Sequence, residues 1–216
     1  MKKTIGIVLM LCAGAYGVFA QNGVIRELTG TVELKPAGAS AFVPASAGDE
    51  VAQDTVVSTG FKSTAVIAAG SSVITVRPLT RLSLSELQTM SGSENLNMNL
   101  RAGSVRVDVK PPAGAKATFT VHSPTATASV RGTSFEFDTR RLQVFEGTVI
   151  FAGKNGAAIP VSAGGESYVG YEDSAVDPAE VAAAAFTPPP VYGSDSAGGT
   201  LLPPQTSEGF SMEIVY

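Results

Sequence analysis

The stretch of residues 119–151 constrains the fold more than any other part of this chain. It reads FTVHSPTATASVRGTSFEFDTRRLQVFEGTVIF. Apolar residues alternate with polar ones at Phe119 and Val121 and again at Phe135 and Phe137, and turn residues separate these short runs. A period of two is typical of strands with one buried face. We predict three or four short antiparallel strands joined by tight turns, with the aromatic side chains facing one core.

Short runs of the same kind recur before residue 119, and glycine, proline or another turn residue follows each of them closely. Helical periodicity is almost absent. The clearest helix signal is Asp177-Pro178-Ala179-Glu180, where Asp can cap the helix and Pro fits its first turn. The pattern predicts an all-β fold of short antiparallel strands in a β-solenoid-like or sandwich arrangement, with a short C-terminal helix and a flexible tail.

A glycine followed by a hydroxyl residue and a β-branched residue begins several of the runs. The copies are Gly30-Thr31-Val32, Gly70-Ser71-Ser72-Val73, Gly103-Ser104-Val105 and Gly147-Thr148-Val149. Their irregular spacing disfavours a strict repeat array and suits stacked rungs with turns of variable length. Glycine also begins many strands after a turn by chance, so both interpretations stay open.

The first 20 residues have the three parts of a signal peptide, namely a basic start, an apolar run and small residues at a cleavage site. We expect cleavage after Ala20, which would make the protein periplasmic or secreted. An uncleaved anchor is an alternative, although the run is short for a spanning helix of ~20 residues. Acylation of Cys12 in a lipoprotein is a minor alternative, because the bulky Leu11 precedes it.

We divide the chain into four parts on composition. These are a signal peptide at 1–20, an all-β domain at 21–172 with its core at 51–153, a short helix and linker at 173–187, and a flexible tail at 188–216. The tail is rich in Pro, Gly and Ser. It ends in an alternating segment at 210–216 that could form a terminal strand. No later apolar run is long enough to predict a stable membrane span after signal cleavage.

Charge and cysteine content exclude several classes of function. The net charge is −4, and loss of Lys2 and Lys3 with the signal peptide would lower it by two. No basic stripe remains, so nucleic acid is not expected as a partner. Because Cys12 is the only cysteine, the mature chain would lack disulfides, thiolate metal sites and cysteine nucleophiles.

No catalytic, metal-binding or cofactor-binding residue is predicted. His122 is the only histidine and has no nearby carboxylate or cysteine in the sequence, so a surface or satisfied core position is expected. Two carboxylates that paired in space would indicate a glycosidase. The candidates are Glu86, Glu94, Asp108, Glu136, Asp138 and Glu146. Scattered, solvated carboxylates are the alternative that we favour.

The segment SVRGTSF at 129–135 is the most distinctive in the chain. We predict that Gly132 lies where the backbone needs a positive φ or where a side chain would clash. Arg131 has apolar neighbours, so we expect a buried guanidinium that is paired, with Glu146 as its partner. The alternative is that Arg131 binds a carboxylate of a partner protein.

This segment and its surroundings resemble the FecR domain in the order of their motifs. That family has a TG turn, a Gly-x-x-Ile/Val segment, a Leu-rich stretch, a Gly-x-Val-x-Val strand, a core ending in VRGT-x-F, and a closing EG-x-V. The matching segments are Ser58-Thr59-Gly60, Gly70 to Ile74, Leu82-Ser83-Leu84, Gly103 to Val107, Ser123-Pro124 to Phe135, and Glu146 to Val149. The resemblance covers 51–153. It marks Val130, Arg131, Gly132, Thr133, Phe135, Glu146 and Gly147 as family motif residues with a structural or partner-binding role.

The resemblance implies an extracytoplasmic all-β domain used for protein–protein signalling. The founding members are inner-membrane regulators of iron-uptake sigma factors that sense a TonB-dependent outer-membrane receptor. No cytoplasmic anti-sigma segment and no later membrane span are recognised here, so we expect a stand-alone exported form. What the resemblance carries over is the module rather than the pathway.

We therefore expect an exported, non-enzymatic protein that binds an unidentified envelope protein. One alternative is a β-solenoid protein that binds or acts on carbohydrate, with a glycan as its partner. The other alternative is a regulator of iron-uptake signalling that acts through a separate membrane partner.

Overall fold

The computed structural model describes residues 22–90, 93–110 and 116–185. In chain order the strands are β1 Gly23–Thr29, β2 Val32–Lys35, β3 Val43–Pro44, β4 Glu50–Val51, β5 Val56–Thr59, β6 Thr64–Ala69, β7 Ser72–Val76, β8 Arg81–Met90, β9 Ser93–Ala102, β10 Ser104–Val109, β11 Lys116–His122, β12 Ala126–Val130, β13 Ser134–Asp138, β14 Arg141–Glu146, β15 Thr148–Gly153, β16 Ile159–Ser162 and β17 Glu166–Tyr168; the helix α1 spans Pro178–Ala185. The predicted all-β fold with one short helix is confirmed.

The strands form two sheets that share one core. Sheet A has the order β17-β14-β13-β10-β7-β6-β1-β4, and sheet B has the order β16-β15-β12-β11-β9-β8-β5-β2-β3. Along most strands buried and more exposed residues alternate, as a half-buried strand requires. The buried residues of both sheets belong to a single apolar cluster. The architecture is therefore a sandwich of two sheets.

Four buried phenylalanines hold the two sheets together. The rings of Phe119 in sheet B and Phe135 in sheet A meet edge to face at 6.0 Å, and those of Phe137 in sheet A and Phe151 in sheet B do so at 6.1 Å. All four side chains are fully buried. Such pairs add to the free energy of burial because the ring edge of one meets the ring face of the other. The prediction that these aromatic residues face one core is confirmed.

The stretch 119–151 contains parts of five strands, β11 to β15, rather than three or four. Gly147 separates β14 from β15 and sends them into different sheets. Within the described ranges, β9 and β11 form the one parallel pair, and the other strand pairs are antiparallel. The chain reaches β11 from β9 through β10 in the facing sheet, which gives one turn of a solenoid.

The chain crosses between the sheets at the ends of the strands. These strand ends form two opposite sides of the sandwich, which we call the first edge and the second edge. At the first edge lie the crossings at 30–31, 60–63, 77–80 and Gly103, which join β1 to β2, β5 to β6, β7 to β8 and β9 to β10. At the second edge lie the crossings at 131–133 and Gly147, which join β12 to β13 and β14 to β15. β10 runs from one edge to the other. These six crossings therefore change edge at β10, whereas the crossing at 52–55, which joins β4 to β5, lies at the second edge.

The recurring glycine motif occurs in two structural settings, corners between the sheets and a hairpin within one sheet. Gly30, Gly103 and Gly147 each lie at a crossing between sheets, whereas Gly70 lies in the hairpin that joins β6 to β7 within sheet A. All four have positive φ values. A glycine adopts that conformation without the cost that a side chain would bring. Three of the four copies therefore mark corners, where a strand turns from one sheet into the other.

The helix α1 begins where the sequence predicts it. The N–H of Ala179 donates to Asp177 Oδ1 at 2.8 Å, so Asp177 caps the helix. The predicted signal peptide at 1–20 and the predicted tail at 188–216 lie outside the described residues. Within the described part of the chain, no helix has the length and apolar character needed to cross a membrane.

Candidate functional site

The family motif residues lie together at the second edge. Gly132 has φ 62° and Gly147 has φ 79°, so the prediction of a positive φ at Gly132 is confirmed. On either side of these corners the buried Val130 pairs with Val149, and the buried Phe135 pairs with Val144. The apolar motif residues thus anchor the two corners in the core.

Arg131 is exposed, and so is Glu146. The prediction of a buried guanidinium paired with Glu146 is wrong, and no ion pair joins them among the described residues. The apolar neighbours of Arg131 suggested burial. Residue 131 instead follows the last residue of β12 and stands at the corner, outside the alternation that places Val130 in the core. A corner tip faces solvent because neither sheet continues there.

Thr133 fills the space between the two corners of the second edge. A Cβ added at Gly147 would lie 2.5 Å from Thr133 Cγ2. Thr133 is buried, and its Oγ1 has no hydrogen-bond partner among the residues that the structure describes. A buried hydroxyl without a partner costs free energy. The methyl group of Thr133, rather than its hydroxyl, therefore provides the packing contact at this corner.

At the first edge, hydroxyl groups bind the corner backbone. The N–H of Thr31 donates to Ser63 Oγ at 2.8 Å, and the N–H of Ser104 donates to Thr80 Oγ1 at 3.0 Å. Thr59 Oγ1 in turn accepts from the N–H of Thr80 at 3.0 Å. Ser63, Thr80 and Thr59 are all buried. These bonds satisfy backbone donors where the sheet ladders are interrupted, so the first edge has a fixed framework.

Two large apolar side chains stand exposed on this framework. Phe61 is 73% exposed and Leu79 is 62% exposed. The backbone holds them close, because the N–H of Leu79 donates to the carbonyl of Gly60 at 3.2 Å. Lys62 and Leu79 have φ values of 52° and 56°. A leucine in this region is strained, and such strain is concentrated at binding and catalytic sites.

Three surface hollows lie along the same edge. One of about 390 Å³ is lined by Leu79, Arg81 and Arg101 together with Ser58, Thr59, Thr80 and Ala102. One of about 230 Å³ shares Arg101 and is completed by Asn99, Leu100, His122, Ser123 and Pro124. One of about 710 Å³ is lined by Gly103, Ser104, Glu136, Asp138, Thr139, Arg140, Arg141, Gln143, Tyr168 and Val169. We call Phe61, Leu79 and these three hollows the first-edge surface.

The charged side chains that line the largest of these three hollows form hydrogen bonds or ion pairs within the protein. Glu136 Oε2 pairs with Arg77 at 2.5 Å. Asp138 Oδ1 accepts from the backbone N–H groups of Arg140 and Arg141, both at 2.7 Å. Arg141 also pairs with Glu166 at 3.1 Å. The guanidinium of Arg140 donates to the carbonyl oxygens of Val169 and Gly170 at 3.0 and 3.2 Å. These charged groups therefore already have hydrogen-bond partners within the protein.

The two smaller hollows differ in this respect. Arg81 and Arg101 are exposed, and neither forms an ion pair within the described residues. The guanidinium of Arg81 lies over the ring of Phe42 at 5.5 Å, a contact that orients it without neutralising its charge. Free guanidinium groups beside exposed apolar side chains are suited to bind a carboxylate and an apolar group together.

Most of the remaining candidates are bound to groups other than carboxylates. Five of the six carboxylates accept hydrogen bonds from such groups: Glu86 from Asn97, Glu94 from the N–H of Ser71, Asp108 from Ser134, Glu136 from Arg77 and Asp138 from the N–H groups of Arg140 and Arg141. His122 is exposed, and its Nδ1 lies 3.2 Å from Thr127 Oγ1. No group of three or more His, Cys, Asp or Glu residues that could hold a metal ion occurs in ranges 22–90, 93–110 and 116–185.

The residues that sequence reasoning singled out and the first-edge surface lie at opposite edges. It selected a motif whose apolar and glycine residues build corners, and it did not single out Leu79, Arg81 or Arg101. One signal was present, because Phe61 and Leu79 are large apolar residues within turns. Residues of that type are unusual in a turn unless they are covered or bind something.

Comparison with known proteins finds a family whose model matches part of this chain. A family model described as FecR protein matches residues 55–150. No curated protein matches the chain by sequence. Two crystal structures of a protein from Parabacteroides distasonis, assigned as an anti-sigma factor, are similar to this chain at 15% and 16% identity, both with a TM-score of 0.46. The matches cover 60% and 59% of this chain and 64% and 62% of those chains, so this chain spans less than two thirds of their length.

Proposed function

Because the chain contains a FecR domain, we propose that it is a protein–protein interaction module of the cell envelope. Its role belongs to signalling or regulation, the kind of role that this domain supports. We place the contact on the first-edge surface. The observation that carries this placement is the pair of exposed apolar side chains, Phe61 and Leu79, beside two guanidinium groups that have no carboxylate partner among the described residues.

The chemistry of this surface fits a protein partner better than a small molecule. Binding energy at protein interfaces is concentrated in aromatic, large apolar and arginine side chains. The strained backbone at Leu79 also supports a binding role for this surface, because backbone strain is concentrated at functional sites. The surrounding corners are fixed by buried hydroxyl groups, so the surface is formed before a partner arrives.

The proposal includes export. The basic start, the apolar run and the residues before Ala20 favour a cleaved signal peptide, and hence a mature chain from Gln21 in the periplasm or outside the cell. It also includes a non-enzymatic role. In support, five of the six candidate carboxylates are hydrogen-bonded to groups that are not carboxylates.

A pull-down with matched variants tests the proposal. The mature chain, Gln21–Tyr216, is immobilised and exposed to an envelope extract, alongside the variants Phe61→Ser and Leu79→Gly. Leu79→Gly removes the side chain and also relieves the positive φ, so its stability should not fall. Ile150→Ser is the control, because Ile150 is 45% exposed on the outer face of sheet B.

The expected result is one envelope protein that the chain and the Ile150→Ser variant capture and that both first-edge variants lose. Equal capture by all four proteins would contradict the placement of the contact. Failure of every form to capture a protein would contradict the proposed function itself. The regulator alternative is tested separately, since it requires that deletion of the gene change iron-uptake transcription.

One observation favours a second candidate, a carbohydrate-binding or carbohydrate-active protein. Glu136 and Asp138 are two residues apart on β13 and line the same hollow, so their separation falls in the range that glycosidases use. Hydrolysis of a polysaccharide that Glu136→Gln abolishes would establish this candidate. Its absence, with binding to a protein retained, would leave the first proposal in place.

A further inference from the structure

The smaller hollows of the first-edge surface match a segment of this same chain. Residues 186–216 contain three acidic residues, Asp195, Glu208 and Glu213, and no lysine or arginine. Two of the acids lie in the last nine residues, EGFSMEIVY, together with half of the segment's large apolar side chains. Arg81 and Arg101 form no ion pair within the described part of the chain. The charges are therefore complementary.

The pattern of apolar residues is complementary as well. In the segment 208–216 the apolar residues Phe210, Met212 and Ile214 alternate with Ser211 and Glu213. In an extended conformation these two sets lie on opposite sides of the backbone. Glu208 shares the side of Phe210 and Met212. That side of the segment could therefore cover exposed apolar groups and also place a carboxylate beside a guanidinium.

The connection is long enough to allow the contact. Helix α1 ends at Ala185, beside β17, and 22 residues lie between it and Glu208. An extended chain of that length reaches up to about 75 Å. A domain of this size has a radius of gyration of about 15 Å. The segment can therefore reach any point on the first edge, and the tether gives it a high effective concentration there.

We propose that residues 208–216 bind the first-edge surface of their own chain. Phe210 and Met212 cover Leu79 and Phe61, and Glu208, on the same side of the segment, pairs with Arg101. The segment would then occupy the surface that a partner needs and would compete with that partner. The contact itself does not depend on the proposed function, because it is made within one molecule.

Photocrosslinking in the intact mature chain tests this contact. Phe210 is replaced by p-benzoylphenylalanine, the protein is irradiated at low concentration, and the product is separated by mass and mapped by peptide sequencing. The expected product has the mass of one chain and joins residue 210 to the peptides that contain Phe61 or Leu79. Because Arg101 lies on the surface of β9, Arg101→Glu should leave the fold intact, which thermal melting verifies.

Arg101→Glu should lower the crosslink yield about two- to fivefold, as expected for the loss of a surface ion pair. Adding Glu208→Arg to that variant should restore the yield, because it reverses both charges. The control Arg131→Glu removes an equally exposed arginine from the second edge and should leave the yield unchanged.

Three outcomes would overturn the proposal. The first is a product with the mass of two chains that increases with protein concentration, which would mean that a second copy is bound. The second is a crosslink to residues away from the first edge. The third is an equal response to Arg101→Glu and Arg131→Glu, or no rescue by Glu208→Arg. Loss of partner capture with the crosslink retained would reject the proposed function but not this contact.

Discussion

At both edges of the sandwich the chain must turn from one sheet into the other, and different residues stabilise this turn at each edge. At both edges a glycine with positive φ turns a strand from one sheet into the other, and a small hydroxyl residue of the neighbouring crossing packs against it. At the first edge the hydroxyls of Ser63 and Thr80 bind the backbone. At the second edge Thr133 contributes its methyl group, and its hydroxyl has no partner in the described residues.

The difference between the edges is greatest at their tips. The first edge displays Phe61 and Leu79, and the backbone there is strained at residues other than glycine. The second edge displays the polar side chains of Arg131 and Glu146. The glycines and hydroxyl residues are thus what a corner requires, while the tips are free to vary. A distinctive sequence motif can therefore mark a structural corner, and the surface for recognition can lie at the other edge.

The largest effect is expected at Gly103. A Cβ there would lie 2.5 Å from Thr80 Cα and 2.8 Å from the carbonyl oxygen of Leu79, on a backbone with φ 84°. Because backbone atoms cannot move aside easily, Gly103→Ala should lower the free energy of unfolding by roughly 3 kcal/mol or more, measured by denaturant titration. Gly38→Ala is the control, since Gly38 has φ 75° but no atom within 4 Å of the added Cβ. Equal losses of stability in the two variants would mean that the positive φ alone, and not the contact with Thr80 and Leu79, destabilises Gly103→Ala.

A smaller loss is expected at the second edge. In Gly147→Ala the new Cβ meets Thr133 Cγ2, an atom of a side chain that can rotate. We expect a loss of about 1–3 kcal/mol in the free energy of unfolding. Adding Thr133→Ser removes the methyl group and should recover part of the loss, because the two sites are in contact. Strict additivity in this double-mutant cycle would contradict the proposed clash.

The two hydroxyl groups should respond oppositely to removal. Thr80→Val leaves the buried N–H of Ser104 without its acceptor, which should cost about 1–3 kcal/mol. Thr133→Val replaces a hydroxyl that has no partner in the described structure, so stability should stay the same or rise slightly. Thermal melting of the two variants measures the contrast. A comparable drop in both would show that Thr133 Oγ1 is bonded in solution.

The smallest effects are expected at the exposed tips of the second edge. Arg131→Ala and Glu146→Ala should each change the free energy of unfolding by less than about 0.5 kcal/mol, because both side chains are exposed and not paired with each other. Denaturant titration of the single and double variants measures this. A loss of several kcal/mol on Arg131→Ala would restore the sequence-based interpretation of a structural, paired arginine.

Much of the local structure could be predicted from the sequence. The alternation at Phe135 and Phe137, the positive φ of Gly132 and the cap at Asp177 all follow from residues close together in the chain. The period of side chains along a strand and the conformational freedom of glycine operate over a few residues. For this reason the all-β class, the aromatic core and the helix start could be inferred without a structure.

Only the tertiary structure decided which strands meet and which edge each corner occupies. The parallel pairing of β9 with β11 and the change of crossing edge at β10 depend on contacts between segments far apart in sequence. The same contacts place Leu79 and Arg101 around one hollow and leave Arg131 exposed. Alternation along a strand specifies which side chains face the core. The position of the first-edge surface depends instead on how the sheets close, because local periodicity carries no information about partners in pairing.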